Sequence, residues 1–200
     1  MDWLKLVEST QHCQRNWDFD KVVDEKTIDW LFNIGYTMPT KQNKDSIQII
    51  AFKTRELVEL VSKHAYDQYD HAKHSGHKNN PQTNAPVLFG FLPIFHNDDK
   101  YVKAKSSLEI GLAAGAMALA ANSIGMKTGF CQCFENDWGW SKTELRLLKR
   151  KNVNIGDINL LVGMGYPIET QKHNIDNTGR EHDTYPKISK LPIDKRKIIF

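Results

Sequence analysis

Leu108-Glu109-Ile110-Gly111-Leu112-Ala113-Ala114-Gly115-Ala116-Met117-Ala118-Leu119-Ala120-Ala121-Asn122-Ser123-Ile124-Gly125-Met126 is the stretch that decides the architecture. A run this apolar is long enough to be mistaken for a membrane span. Glu109, Asn122 and Ser123 interrupt it, and its Gly and Ala content is unusually high. A buried core helix accounts for it better than a bilayer does. Gly111, Ala114, Gly115, Ala118 and Ala121 recur three or four apart. Such a stripe lets another helix or a strand layer approach closely, at the centre of a core or at a subunit interface. The spacing predicts a helix from about Tyr101 to Ile124, stopped at Gly125.

Outward from this helix, the elements mix without a regular βαβ alternation. On its C-terminal side, Thr128–Phe134 reads as a short strand and Ser141 as the cap of a helix to about Lys151. Asn159–Tyr166 is the last buried strand, closed by Pro167. On its N-terminal side, Val87–Phe95 is strongly apolar and Ile47–Phe52 is β-branched and aromatic, so both read as strands. Glu56 to about Tyr69 reads as a helix. A further helix runs from Asp24, as N-cap, to about Gly35, with Ile28, Leu31, Phe32 and Ile34 on its apolar face. Trp3–Val7 has apolar residues at helical spacing. His71–Ala85 is polar and turn-rich and reads as a long surface loop. The expectation is a single α+β domain over residues 1–200, a sheet packed with helices, the longest of them buried. Ile168–Phe200 lacks periodicity and is expected to lie along a surface as an arm.

Composition excludes several function classes. A 200-residue chain that is 40% hydrophobic and 26% charged is ordinary globular material. A net charge of +3 and a pI of about 8.6 are too weakly basic to argue for nucleic acid. The three cysteines, Cys13, Cys131 and Cys133, cannot all pair within one chain. With no basic-then-apolar leader at Met1-Asp2-Trp3-Leu4-Lys5, they point to a reducing, cytoplasmic compartment and no membrane. No three-glycine dinucleotide fingerprint, P-loop or Gly-x-Ser-x-Gly is present. His71, His74 and His77 lie in a Lys- and Asn-rich tract better read as solvated than as a metal site, so no metal is expected. Cys131 and Cys133 would point the same way on a strand, and packing suits them better than a strained bridge.

Four separated segments, in order, resemble the nitroreductase family of FMN-dependent enzymes. The first is Gln11-His12-Cys13-Gln14-Arg15, where the family carries Arg-x-Ser-x-Arg or Arg-x-Ser-x-Lys. The second, Pro39-Thr40-Lys41-Gln42-Asn43-Lys44-Asp45, is similar to the family's Pro-Ser-x-x-Asn-x-Gln-Pro-Trp. The third runs from Glu109 to Met126 and looks like the family's long central helix. The fourth is Asn159-Leu160-Leu161-Val162-Gly163-Met164-Gly165-Tyr166-Pro167, similar to its closing strand with a Gly-Tyr-Pro end. Gln11 stands where an arginine usually grips the phosphate, and Cys13 replaces the serine, which removes a full charge and a bidentate donor. Asp45 and Ile47 replace the Gln and Trp of the second segment.

The resemblance implies FMN as cofactor, NAD(P)H as electron donor and a small organic acceptor. It also implies a central mixed or antiparallel sheet flanked by helices, and a homodimer wrapped by its C-terminal arms. Arg15 would bond the pyrimidine edge of the flavin, where a fixed cation stabilises the reduced ring. Gln11, His12 and Cys13 fall in the phosphate-binding segment, and Lys190 of the tail could supply a further cation. Pro39, Thr40 and Asn43 would hold the ribityl chain or ring edge, and backbone amides near Gln132 and Cys133 would face the flavin N5. No side chain is implied as a strong acid or base. Two other readings stay open: a relative that binds, stores or degrades flavin without NAD(P)H turnover, and a cofactor-free, non-catalytic dimer.

Overall fold

The computed structural model describes residues 2–10, 13–43, 45–67, 80–94, 100–132 and 158–168, excepting the side chains of 64–67 and 100–103. Helix α1 is Trp3–Ser9 and α2 is Glu25–Tyr36, followed by a 3-10 turn at Lys41–Asn43. Strand β1 is Ile47–Phe52, α3 is Arg55–Asp67 and β2 is Val87–Pro93. The long helix α4 is Lys100–Ser123, followed by β3, Lys127–Cys131, and β4, Leu160–Gly165.

Local chemistry sets the helix ends. The Asp2 carboxylate accepts from Leu4 N at 3.1 Å, and Asp24 accepts from Thr27 N at 2.7 Å. Hydrogen bonds from Thr27, side chain first and backbone second, hold the Asp24 carboxyl below its ordinary range. Helix α4 ends as a Schellman turn: Gly125 adopts a φ of 82°, Met126 N donates to Ala121 O and Gly125 N to Asn122 O. Only glycine takes that left-handed conformation without strain, so Gly125 stops the helix as its sequence position implies.

Among the described residues the strands form one antiparallel sheet in the order β1-β2-β4-β3. Because side chains alternate along a strand, the two faces carry different cores. One face presents Ile47, Ile49, Phe89, Phe91, Val162 and Met164 to α2 and α4. The other packs Phe52, Leu88, Leu92, Leu161 and Cys131 against Val58 and Val61 of α3. As an edge strand β1 leaves backbone donors unpaired, and Ile49 N finds the Tyr36 hydroxyl oxygen of α2 at 2.8 Å.

Two sequence expectations need adjustment. The segment expected as surface loop to Ala85 is buried over its described end: Thr83 and Ala85 are fully enclosed, and Asn80 is 7% exposed. The cause is a glycine pair. Gly129 and Gly163 face each other across β3 and β4, and a Cβ on either would lie within 2.4 Å of the Gln82 carbonyl. Without side chains there, this segment sinks onto the sheet. Asn80 anchors it, donating from Nδ2 to Cys131 Sγ at 3.0 Å and from its backbone N to Ser62 O. The small-residue stripe of α4 also divides. Ala114, Ala118 and Ala121 are buried against the fold, whereas Gly111 is exposed, and among the described residues nothing beyond the helix's own backbone comes within 4 Å of where a Cβ on Gly111 or Gly115 would stand. The helix expected from Ser141 to Lys151 and the arm beyond Ile168 lie outside the described residues.

Candidate functional site

The strand registers fix which candidate residues come together. Ile47 opposes Pro93, Phe91 opposes Leu160, and Cys131 opposes Leu161. The start of β1 and the end of β3 therefore lie at the same end of the sheet, separated by three strand spacings, roughly 14 Å. At the β3 corner stands Cys13, and from it the chain runs back along β3 toward the opposite end of the sheet, where Trp17 bridges Pro167. Gln14 N donates to Thr128 O at 2.8 Å, and the Cys13 thiol lies 3.9 Å from Phe130 O. Arg15, beyond Gln14 on that path, is half-buried and turns its Nη1 back toward the corner to donate to Cys13 O at 3.2 Å. Gln132 follows β3 directly and is exposed. Gln11, His12, Cys133 and Lys190 lie outside the described residues, as do His71, His74 and His77.

At the β1 corner stands the loop from Met38 to Ser46. Pro39 and Asn43 are exposed and Thr40 is half-buried. The turn is tight: Asn43 N donates to Thr40 O at 3.2 Å, and Gln42 and Asn43 have φ of 62° and 52°. Left-handed backbone is tolerated by asparagine and is uncommon for glutamine, so something must hold the turn. That something was not singled out by sequence reasoning. Glu109 of α4, 3% exposed, accepts from Lys41 N and Ser46 N, each at 3.2 Å, and from the Ser46 hydroxyl. Lys105, one turn earlier, brings its Nζ to 3.7 Å from the same carboxylate. The signal was available: a carboxylate in an otherwise apolar helix costs several kcal/mol to bury, of order that of any unpaired ion, unless partners are built around it. Gly35, Tyr36, Met38, Thr40, Asp45 and Glu109 line a crevice between this loop and α2.

Cys131 behaves as packing, 2% exposed and in contact with Asn80. A separate cavity of about 420 Å³ opens at the other end of the sheet, between Asp18, Asp20, Lys21, Gly125, Tyr166 and Pro167, and none of the candidate residues lines it. Among the described residues no group of His, Cys, Asp or Glu could hold a metal ion, and no helix is long and apolar enough to cross a membrane.

No protein-family model matches the chain, and no curated protein matches it. Solved structures do. A nitroreductase with bound FMN from Bacteroides fragilis superposes with a TM-score of 0.67 over 86% of this chain and 91% of its own, at 16% identity. The chain has the nitroreductase fold. A BluB-like flavoprotein from Clostridium difficile shares that fold with a TM-score of 0.68 at 14% identity, covering 100% of this chain and 99% of its own. A nitroreductase family protein from Streptococcus pneumoniae covers 100% of both, with a TM-score of 0.66 and 15% identity. The nitroreductase fold is thus matched over 86% to 100% of this chain.

Proposed function

We propose that this chain is an FMN-dependent oxidoreductase that works as a homodimer, passing hydride from NAD(P)H to a small organic acceptor such as a nitroaromatic or quinone. The observation that carries the reading is the arrangement at one end of the sheet. Cys13, with the Arg15 guanidinium turned back onto its carbonyl, stands at one corner and the Thr40–Asn43 turn at the other, both in segments matched to flavin-binding segments by resemblance. The donor set there suits a flavin. Arg15 offers a half-buried cation, Thr40 a hydroxyl, and Asn43 and Gln132 carboxamides or backbone amides.

When bound, FMN supplies a ring that takes up a hydride and passes it on. The chain's own residues do the rest. Arg15, held by its bond to Cys13 O, keeps positive charge beside the candidate site, where negative charge collects on reduction. The Thr40–Asn43 turn, brought by the second copy, would orient the ligand. The two corners, three strand spacings apart, would serve the two sites of the homodimer, and at each bound flavin donor and acceptor would use one face in turn.

The homodimer is supported by α4. Leu108 and Leu112 are 64% and 41% exposed beside the open Gly111 and Gly115, and α1, packed against α4, exposes Trp3, Leu4 and Val7. Such an apolar surface on a central helix suits a second copy. In that assembly Arg15 of one copy and Asn43 of the other complete one site. A second reading, flavin binding without NAD(P)H turnover, draws on the full-length likeness to the BluB-like flavoprotein.

Absorbance titration with FMN, followed by anaerobic NAD(P)H, tests the proposal. Flavin that binds and bleaches supports it. Bound flavin that NAD(P)H leaves oxidised favours the second reading. A protein that never takes up FMN overturns both.

A further inference from the structure

We infer that Glu109 is a positioning residue that clamps the 41–46 turn from the central helix and so sets the geometry with which Thr40 and Asn43 meet the flavin. The inference rests on the FMN reading above and goes beyond it by assigning a role to a residue that would touch no ligand. Both ends of the turn are held by one carboxylate: Lys41 N reaches Oε1 and Ser46 N reaches Oε2, each at 3.2 Å. The Ser46 hydroxyl donates to Oε2 as well. Ser46 is gripped on its other side, its carbonyl accepting from Ile94 N at 2.9 Å and from the Ser106 hydroxyl at 3.4 Å. The N-terminal half of α4 thus holds the turn at both ends, while its middle residues Gln42 and Asn43 sit in left-handed backbone. Lys105 supplies a counter-charge to a carboxylate that is 3% exposed. A carboxylate accepting this many hydrogen bonds is satisfied only in one loop geometry, which is what pre-organises a binding turn.

Fluorescence titration with FMN of wild type, Glu109→Gln, Ser46→Ala, Asn43→Ala and Glu109→Gln/Asn43→Ala tests this. Gln presents an NH2 group to a backbone N–H, so Glu109→Gln should raise the Kd for FMN by about ten- to a hundredfold. Ser46→Ala removes one of the bonds and should raise it by about threefold to tenfold, which keeps the inference testable if Glu109→Gln does not fold. In the Asn43→Ala background Glu109→Gln should add a clearly smaller factor than in wild type, because the part of its effect that runs through Asn43 is gone and only the part through Thr40 is left. A wild-type Kd in Glu109→Gln, or an undiminished effect without Asn43, overturns the inference. Wild type that binds no FMN overturns the flavin reading and the positioning role with it. Amide exchange in flavin-free protein separates those failures: lost protection at Lys41 and Ser46 in Glu109→Gln upholds the clamp itself, and unchanged protection overturns it.

Discussion

On one side of α4, Ala113, Ala114, Met117 and Ala121 are at most 1% exposed, packed on the sheet and α2. On the other side, Leu108 and Leu112 stand 64% and 41% exposed, with open space over Gly111 and Gly115. The two sides hardly differ in composition, since both are built from small and aliphatic residues. An isolated domain would put charge on the outer side. The difference leaves half of this helix uncovered among the described residues, and the proposed homodimer gives that half a second copy to pack against.

The comparison breaks most visibly on the outer side. Leu108→Glu with Leu112→Glu should leave the fold intact, because both positions are exposed in the single chain. It should weaken dimerisation by about a thousandfold or more by bringing unpaired charges into the contact. Sedimentation equilibrium checks this, and an unchanged dimer would move the interface elsewhere. On the inner side, Met117→Ala should cost about 2–4 kcal/mol in urea unfolding at fixed protein concentration, since Met117 is fully buried. Smaller still is Gly111→Ala. In the monomeric double-Glu background it should stabilise by up to about 1 kcal/mol through helix propensity alone. In the native background the added methyl should weaken dimerisation instead, and comparing the two by thermal unfolding sharpens the contrast.

The smallest effect concerns Lys127 of β3, which ties the C-terminal end of α4 to the end of α1. Its Nζ donates to Asn122 Oδ1 at 2.8 Å and to Ser9 O at 3.3 Å. Burial nevertheless holds its pKa below the ordinary 10.5. The unfolded chain then binds more protons than the folded one between the lowered value and 10.5, so stability rises with pH through that window. Lys127→Met should flatten the slope, as measured by denaturant midpoints across alkaline pH.

Much of this architecture was legible in the sequence. Gly125 marked the end of α4 because a left-handed residue follows the helix there, and Asp24 marked the start of α2 because its carboxylate had a backbone amide to cap. The apolar run at Val87 read as a strand, and it is the buried strand between β1 and β4. What stayed hidden depends on contacts distant in sequence. Gly129 and Gly163 pair only once β3 and β4 align, so the descent of the 80–85 segment onto them has no local signature. Helical spacing put Gly111 in the same stripe as Ala114 and could not assign the two to opposite neighbours. Glu109 was visible as an anomaly in an apolar helix, but its partners lie 63 and 68 residues away in the chain. Of the candidate site, Arg15 and the Thr40–Asn43 turn were found by resemblance. That they stand at two corners of one sheet end came only from the strand order.

The central claim is that two copies of this chain build each flavin site, one contributing Arg15 and the other Asn43. The most direct measurement co-expresses Arg15→Ala and Asn43→Ala chains and counts tight FMN sites in the mixed dimers, against either variant alone. The account predicts that each variant alone binds weakly and that random mixing restores tight binding at about a quarter of sites, since half the dimers are mixed and each holds one intact site. Mixed dimers that bind no better than their parents would contradict it, because Arg15 and Asn43 would then serve the same site from a single chain.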